Sequence, residues 1–122
     1  MKKAMELMRP GEGLKFENHP YPDQNVLCYP LLNMLAAANL LKVDVLFLDV
    51  DGAELDVLGT LRFQETDIKA IVLECVQFVS LVPGECTEEL KGKFESLLKP
   101  WGYELKKVIN HQDLLFIKRD AQ

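Results

Sequence analysis

Apolar residues beyond position 29 fall into two kinds of block, short unbroken runs and longer stripes at helical spacing, and the two kinds alternate. Pro30 suits the first turn of a helix, and Leu31, Leu32, Met34, Leu35, Ala38 and Leu41 recur about one helical turn apart, which predicts a helix over 30–41. The run Val43-Asp44-Val45-Leu46-Phe47-Leu48-Asp49-Val50 is rich in β-branched residues and apolar toward both faces except at its ends, as in a central strand of a parallel sheet. Ala53, Leu55, Val57, Leu58 and Leu61 form a helical stripe over 53–61, and Ile68 to Val76 repeats the buried-strand pattern. Thr87-Glu88-Glu89 opens a further helix with Leu90, Phe94, Leu97 and Leu98 on its apolar side, and Pro100 and Gly102 stop it. Strands at 103–109 and 114–118 then flank the turn Asn110-His111-Gln112-Asp113 as an antiparallel hairpin. The order α-β-α-β-α-β-β argues for an α/β layer structure with a mainly parallel sheet and a C-terminal antiparallel hairpin.

Residues 1–29 carry Pro10, Gly11, Gly13, Pro20, Pro22 and Asn25 and read as an irregular N-terminal arm, with one short strand near Val26-Leu27-Cys28. The folded unit is then 30–122. With 48% apolar and 27% charged residues the chain has the makeup of an ordinary globular domain. Fourteen basic against nineteen acidic residues leave a net charge of −5 and no surplus of Lys and Arg to neutralise a phosphate backbone, so nucleic acid is not an expected partner. The most apolar window, Leu31 to Val50, holds Lys42, Asp44 and Asp49, and no membrane span is expected there. Two lysines open the N-terminus as in a secretory signal, but Glu6 and Pro10-Gly11 break the apolar stretch that should follow. Cys28, Cys75 and Cys86 form no C-x-x-C pair and lack zinc spacing; they read as buried or incidental thiols, and no metal site is expected.

Ligands of open α/β sheets sit beyond the carboxyl ends of the strands, which draws attention to Asp49-Val50-Asp51-Gly52-Ala53-Glu54. Three carboxylates within six residues close the most apolar strand. If the strand persists, Asp49 and Asp51 project to the same side, and Gly52 permits a sharp turn. Two readings stand side by side. In one, Asp51 caps the next helix, Glu54 closes a capping box and Asp49 hydrates the strand end. In the other, the acids form a ligand or catalytic corner.

Two family resemblances attach to this corner. The words Leu46-Phe47-Leu48-Asp49-Val50-Asp51-Gly52 resemble the first motif of haloacid-dehalogenase-type phosphohydrolases, which implies Asp49 as nucleophile toward phosphorus and Asp51 as acid and base around a magnesium ion. That family continues with Thr where this chain has Ala53-Glu54. A longer resemblance covers about 26–118: Cys28-Tyr29-Pro30-Leu31-Leu32, Val43 through Glu54, Val57-Leu58, Ile71-Val72-Leu73-Glu74 and Gly102-Tyr103-Glu104 resemble FkbM-type methyltransferases, in the animal branch that includes Star-like proteins. It implies a Rossmann-like class I methyltransferase fold, N-terminally incomplete, of which this chain is the C-terminal half. It also implies S-adenosylmethionine as cofactor and O-methylation of a small-molecule or glycan-like acceptor. Asp49, Asp51 and Glu54 are then the catalytic candidates, with Glu74 on the substrate-binding rim. Family members carry Glu where this chain has Asp51. The cofactor-binding residues are not identified, because Gly11-Glu12-Gly13 lacks a preceding buried strand.

The alternative from a different class is a non-catalytic, Star-like interaction or trafficking module, cytoplasmic or associated with the secretory pathway; the chain as written reads as soluble, and its sequence assigns no compartment. Half of a parallel sheet also implies an exposed edge and self-association through it, unless Phe16 and Tyr21 cover that edge. The remaining residues read plainly. His19 and His111 are surface imidazoles, Trp101 and Tyr103 packing residues, and Lys91, Lys93, Lys99, Lys106 and Lys107 a solvated face.

Overall fold

The computed structural model describes residues 27–76, 78–79 and 82–119. Helix α1 is Leu31–Ala37, strand β1 Lys42–Leu48, helix α2 Glu54–Gly59 and strand β2 Asp67–Glu74. A small hairpin, β3 (Phe78–Val79) and β4 (Val82–Pro83), precedes helix α3 (Glu88–Leu98), and β5 (Tyr103–Ile109) and β6 (Asp113–Lys118) complete the chain. The expected order is recovered, with β3 and β4 as additions. Val26, together with Gly11, Gly13, Phe16, His19 and Tyr21, lies outside the described residues; Leu27 and Cys28 belong to no strand.

Boundaries are tighter than the pattern predicts. Helix α1 ends at Ala37 because Asn39 takes a positive φ of 57° and turns the chain toward β1. Thr87 opens α3 as read, its hydroxyl accepting the Leu90 N–H at 3.1 Å. Gly102, at φ 89°, supplies the left-handed turn that follows this helix and launches β5. Asn110 and His111 both have positive φ, and the Gln112 N–H closes onto Ile109 O at 3.1 Å, turning β5 into β6.

The four-stranded sheet has the order β1-β2-β6-β5. Only β1·β2 pairs in parallel; β2·β6 and β6·β5 are antiparallel. This corrects the mainly parallel expectation. The cause is the C-terminal hairpin: β5 runs in the direction of β2, but β6 returns between them, so one would-be parallel pairing becomes two antiparallel ones.

One face of this sheet carries Leu48, Ile71, Leu73, Leu114 and Phe116, which join Leu58 and Leu61 after β1 and Phe94 and Leu98 of α3 in a single buried cluster. Burying each such side chain contributes roughly 1.5–3 kcal/mol. The other face presents Val45 and Phe47 of β1, 43% and 74% exposed, beside half-buried Ala70, Val72, Leu115 and Ile117. Tyr103 ties the layers together: its hydroxyl donates to Ile68 O at 2.6 Å, and its ring meets Phe63 edge-on while Trp101 stacks on the same Phe63. Burial, reinforced by the Asp67 charge, pushes the Tyr103 hydroxyl up to about 12.

Cys75 and Cys86 are joined in a disulfide, which overturns their reading as separate thiols. The physical reason is topological. Cys75 follows β2 directly, the β3–β4 excursion doubles back, and the two Cα atoms come within 4.9 Å.

Candidate functional site

The parallel pair places its carboxyl ends side by side. Leu48 lies opposite Leu73, so extending the register by one residue sets Asp49 beside Glu74. Strand β1 stops at Leu48, however, and strand alternation does not orient Asp51. Instead the chain turns at once: Asp51 takes φ 49° and Gly52 φ 101°, a left-handed pair that glycine accommodates without cost at its second position.

Glu54 holds this turn. Its carboxylate, 2% exposed, accepts the Val50 N–H at 2.9 Å on one oxygen and the Gly52 N–H at 3.0 Å on the other. Ala53 occupies the N-cap position of α2 without any side-chain cap, which corrects the reading of Asp51 as the capping residue. Only the returning half of the predicted box survives, aimed at two turn amides rather than at a cap. A buried carboxylate with both oxygens engaged is a positioning group, because nothing remains to meet a ligand.

Asp49, Asp51 and Glu74 each present a carboxylate oxygen such that the three atoms lie within 4.8 Å of one another. Asp49 and Asp51 are exposed and Glu74 is half-buried. Packing three like charges together is unfavourable unless a proton or a cation enters. The Glu74 carboxyl is accordingly pushed up to about 7, first by its side-chain hydrogen bond with Asp49, then by partial burial and by the charges of Asp49, Glu54 and Asp51. A hydrogen bond between two carboxyl groups requires a proton, so below that point protonated Glu74 donates to Asp49. The same three oxygens lie close enough together that they could hold a hard divalent cation. The phosphohydrolase resemblance alone implies a metal beside Asp49 and Asp51; Glu74 is not expected to join them, because it is brought in across a second strand.

Of the four predicted site residues, three converge: Asp49, Asp51 and Glu74. Glu54 sits beneath them, facing the backbone. The sequence reading treats Glu74 as a secondary rim residue and misses its direct contact with Asp49; the signal available was the equal standing of the two acids at the ends of adjacent buried runs. It also misses the hold on the second strand exit. Cys75, next to Glu74, is fully buried, disulfide-bonded to Cys86, and donates its N–H to Gln112 O of the β5–β6 turn at 2.6 Å.

Two surface grooves lie elsewhere. One, of about 400 Å³, is lined by Glu85, Cys86, Glu88, Lys91, Val108 and His111. The other, of about 670 Å³, runs past Leu32, Asn33, Ala36, Leu41 and Glu65. The acids line neither of these two grooves. Lys91, Lys93 and Lys106 are ion-paired with Glu88, Glu89 and Glu104 on the surface, as a solvated face would be. Among the described residues no helix is long and apolar enough to cross a membrane. Comparison with protein-family models, curated proteins and solved structures finds no match to this chain.

Proposed function

We propose that the chain is an S-adenosylmethionine-dependent O-methyltransferase-like unit of the FkbM type, with Asp49 at the transfer centre. The observation that carries this reading is the meeting of Asp49, Asp51 and Glu74 at the carboxyl ends of the parallel pair, the place where open α/β sheets bind their ligands. The cofactor, when bound, supplies a methyl group on a positively charged sulfonium. A rim of carboxylates suits that charge, while the adenosine end finds no G-x-G turn among the described residues. The chain's own contribution is to the acceptor: Asp49 and Glu74 provide a site that takes a hydroxyl proton as the new C–O bond forms, Asp51 orients the acceptor, and Glu54 keeps the turn in place.

Isothermal titration with S-adenosylhomocysteine tests the reading. Saturable binding is expected, weakened by Asp49→Ala while far-ultraviolet circular dichroism stays unchanged. No heat at millimolar ligand with the protein folded would remove the catalytic reading. Magnesium-dependent turnover of a phosphomonoester would instead favour the phosphohydrolase resemblance.

A second reading, the non-catalytic Star-like module of the secretory pathway, is favoured by the Cys75–Cys86 disulfide, since disulfides persist in oxidising compartments and are rare in the cytosol. Survival of that bond in protein isolated from cells under alkylating conditions would support it, and two alkylated thiols would count against it.

A further inference from the structure

The face of the sheet turned away from α3 is laid out in rows across β1, β2 and β6. Val45, Ala70 and Ile117 form one row, and Phe47, Val72 and Leu115 the next, with Val45 43% and Phe47 74% exposed. Strand alternation carries the same face one row further, to Glu74 and the directly opposite Asp113, and Asp49 joins them through its hydrogen bond with Glu74. An apolar area three strands wide therefore ends on a row of carboxylates. On β5 it is bounded by Glu104 and Lys107, which lie opposite Ile117 and Leu115. The charges at the two ends of the parallel pair are treated differently. At the amino end Asp44 lies 3.2 Å from Lys69 Nζ and Asp67 3.8 Å from Lys118 Nζ. At the carboxyl end no Lys, Arg or His among the described residues forms an ion pair with Asp49, Asp51, Glu74 or Asp113.

We infer that this face docks an amphipathic helix of a partner protein, one that lays its apolar side over Phe47, Val72 and Leu115 and brings Lys or Arg to the carboxylate row. Charge complementarity selects the occupant. The face offers apolar area and unanswered negative charge at one end, so its complement is apolar with positive charge at the matching end. Size selects a helix. Three strands spaced about 4.8 Å apart give a strip about 10 Å wide, the width of one helix, and a helix is a common cover for the apolar face of a sheet. From the Val45 row to the carboxylate row is about 13 Å, which about nine helical residues span, with apolar anchors at i, i+3 and i+4 and the cation at i+7 or i+8. A second copy of this chain is a poorer complement, because it has the same net charge of −5 and brings its own carboxylate row to the contact. An anionic membrane surface is repelled by that row. Helix docking is independent of the methyltransferase reading, since peptide binding and S-adenosylhomocysteine binding are measured separately and either can fail alone.

The test uses the full chain and a fluorescently labelled synthetic peptide of about 14 residues, with Leu at the i, i+3 and i+4 positions of a helix and Lys in the following turn. A control peptide carries Glu in place of those Lys. Fluorescence anisotropy is expected to give the Lys peptide a Kd of about 1–100 µM, as suits a small interface, and to show binding more than about tenfold weaker for the Glu peptide. Phe47→Lys should weaken the Lys peptide by more than about tenfold. That side chain is 74% exposed, so the thermal unfolding of the variant should match the wild type. Amide shifts on binding should gather at 45–47, 70–74 and 113–117. No binding of the Lys peptide at millimolar concentration would overturn the docking surface, as would equal binding of both peptides or shifts that gather instead beside Leu32, Ala36 and Leu41. So would a different occupant of the same face: a dimer in sedimentation that Phe47→Lys abolishes, peptide binding that begins only after residues 1–26 are removed, or Phe47-dependent binding to phosphatidylserine vesicles.

Discussion

Glu54 and Glu74 stand a few residues beyond or at the ends of two neighbouring strands, and their surroundings treat the same functional group in opposite ways. Glu54 is buried and receives two backbone N–H groups. Glu74 is half-buried and faces other carboxylates, so it keeps its proton to about 7. The exits that carry them are held differently too. The exit of β1 is closed by hydrogen bonds from the backbone to one side chain, and that of β2 by the covalent Cys75–Cys86 link. Burial alone therefore does not decide what an acidic residue does. The partners decide: amide donors make it a structural bracket, and like charges make it a proton or cation site.

The largest effect should come from removing the bracket. Glu54→Ala is expected to cost about 3–5 kcal/mol in urea unfolding, since it deletes two hydrogen bonds to an ionised group and leaves two turn amides without a partner. A loss below about 1 kcal/mol would mean that the β1 exit holds itself and the contrast is misplaced. The covalent exit comes next. Replacing both Cys75 and Cys86 by Ser removes a link of sequence separation 11 and is expected to cost about 3 kcal/mol, with reductant producing the same loss in the wild type and none in the variant.

Much of this architecture was legible in the residues, for identifiable reasons. The apolar runs at 43–50 and 68–76 located the two strands that pair in parallel, although the first, read as a central strand, is the edge of the sheet with Val45 and Phe47 exposed; Thr87, Pro100 and Gly102 placed α3, because periodicity and caps act locally. Asp49, Asp51 and Glu74 were nameable as rim acids since casual carboxylates are rare at the ends of buried strands. What stayed hidden was whatever depends on two distant segments meeting. The insertion of β6 between β2 and β5, the Asp49–Glu74 contact and the disulfide belong to that class. Glu54 misled for a subtler reason. The spacing Asp51 to Glu54 has the form of a capping box, yet Asp51 at φ 49° cannot serve as the extended cap residue, so the glutamate is turned to other amides.

The proton on Glu74 gives a smaller, pH-dependent effect. Its folded-state pKa, about 7, lies above the ordinary 4.5. The folded protein therefore binds more protons than the unfolded chain between these values, and the contribution is fully present below pH 4.5 and lost as pH rises through 7. Stability is expected to fall across that window. Glu74→Gln, which keeps a hydrogen-bond donor toward Asp49 without the titration, should flatten this part of the profile, and the variant should be the more stable protein at pH 8. An unchanged slope would assign the window to other groups.

The finest discrimination lies among the neighbours of Glu74. The hydrogen bond with Asp49 stands first among the causes of its raised pKa, and the Asp51 charge stands last. Carboxyl ¹³C titration should therefore show Glu74 moving down strongly in Asp49→Asn, where an amide can donate to the ionised Glu74, and only slightly in Asp51→Asn. The second variant is well suited to the comparison because asparagine tolerates the positive φ of 49° at that position, so the turn and the Glu54 bracket persist while one charge disappears. If the two variants lower the titration equally, the raised pKa reflects the summed negative field of the rim and not a shared proton. The rim would then select a cation by charge alone, and Asp49 would hold no privileged place in it.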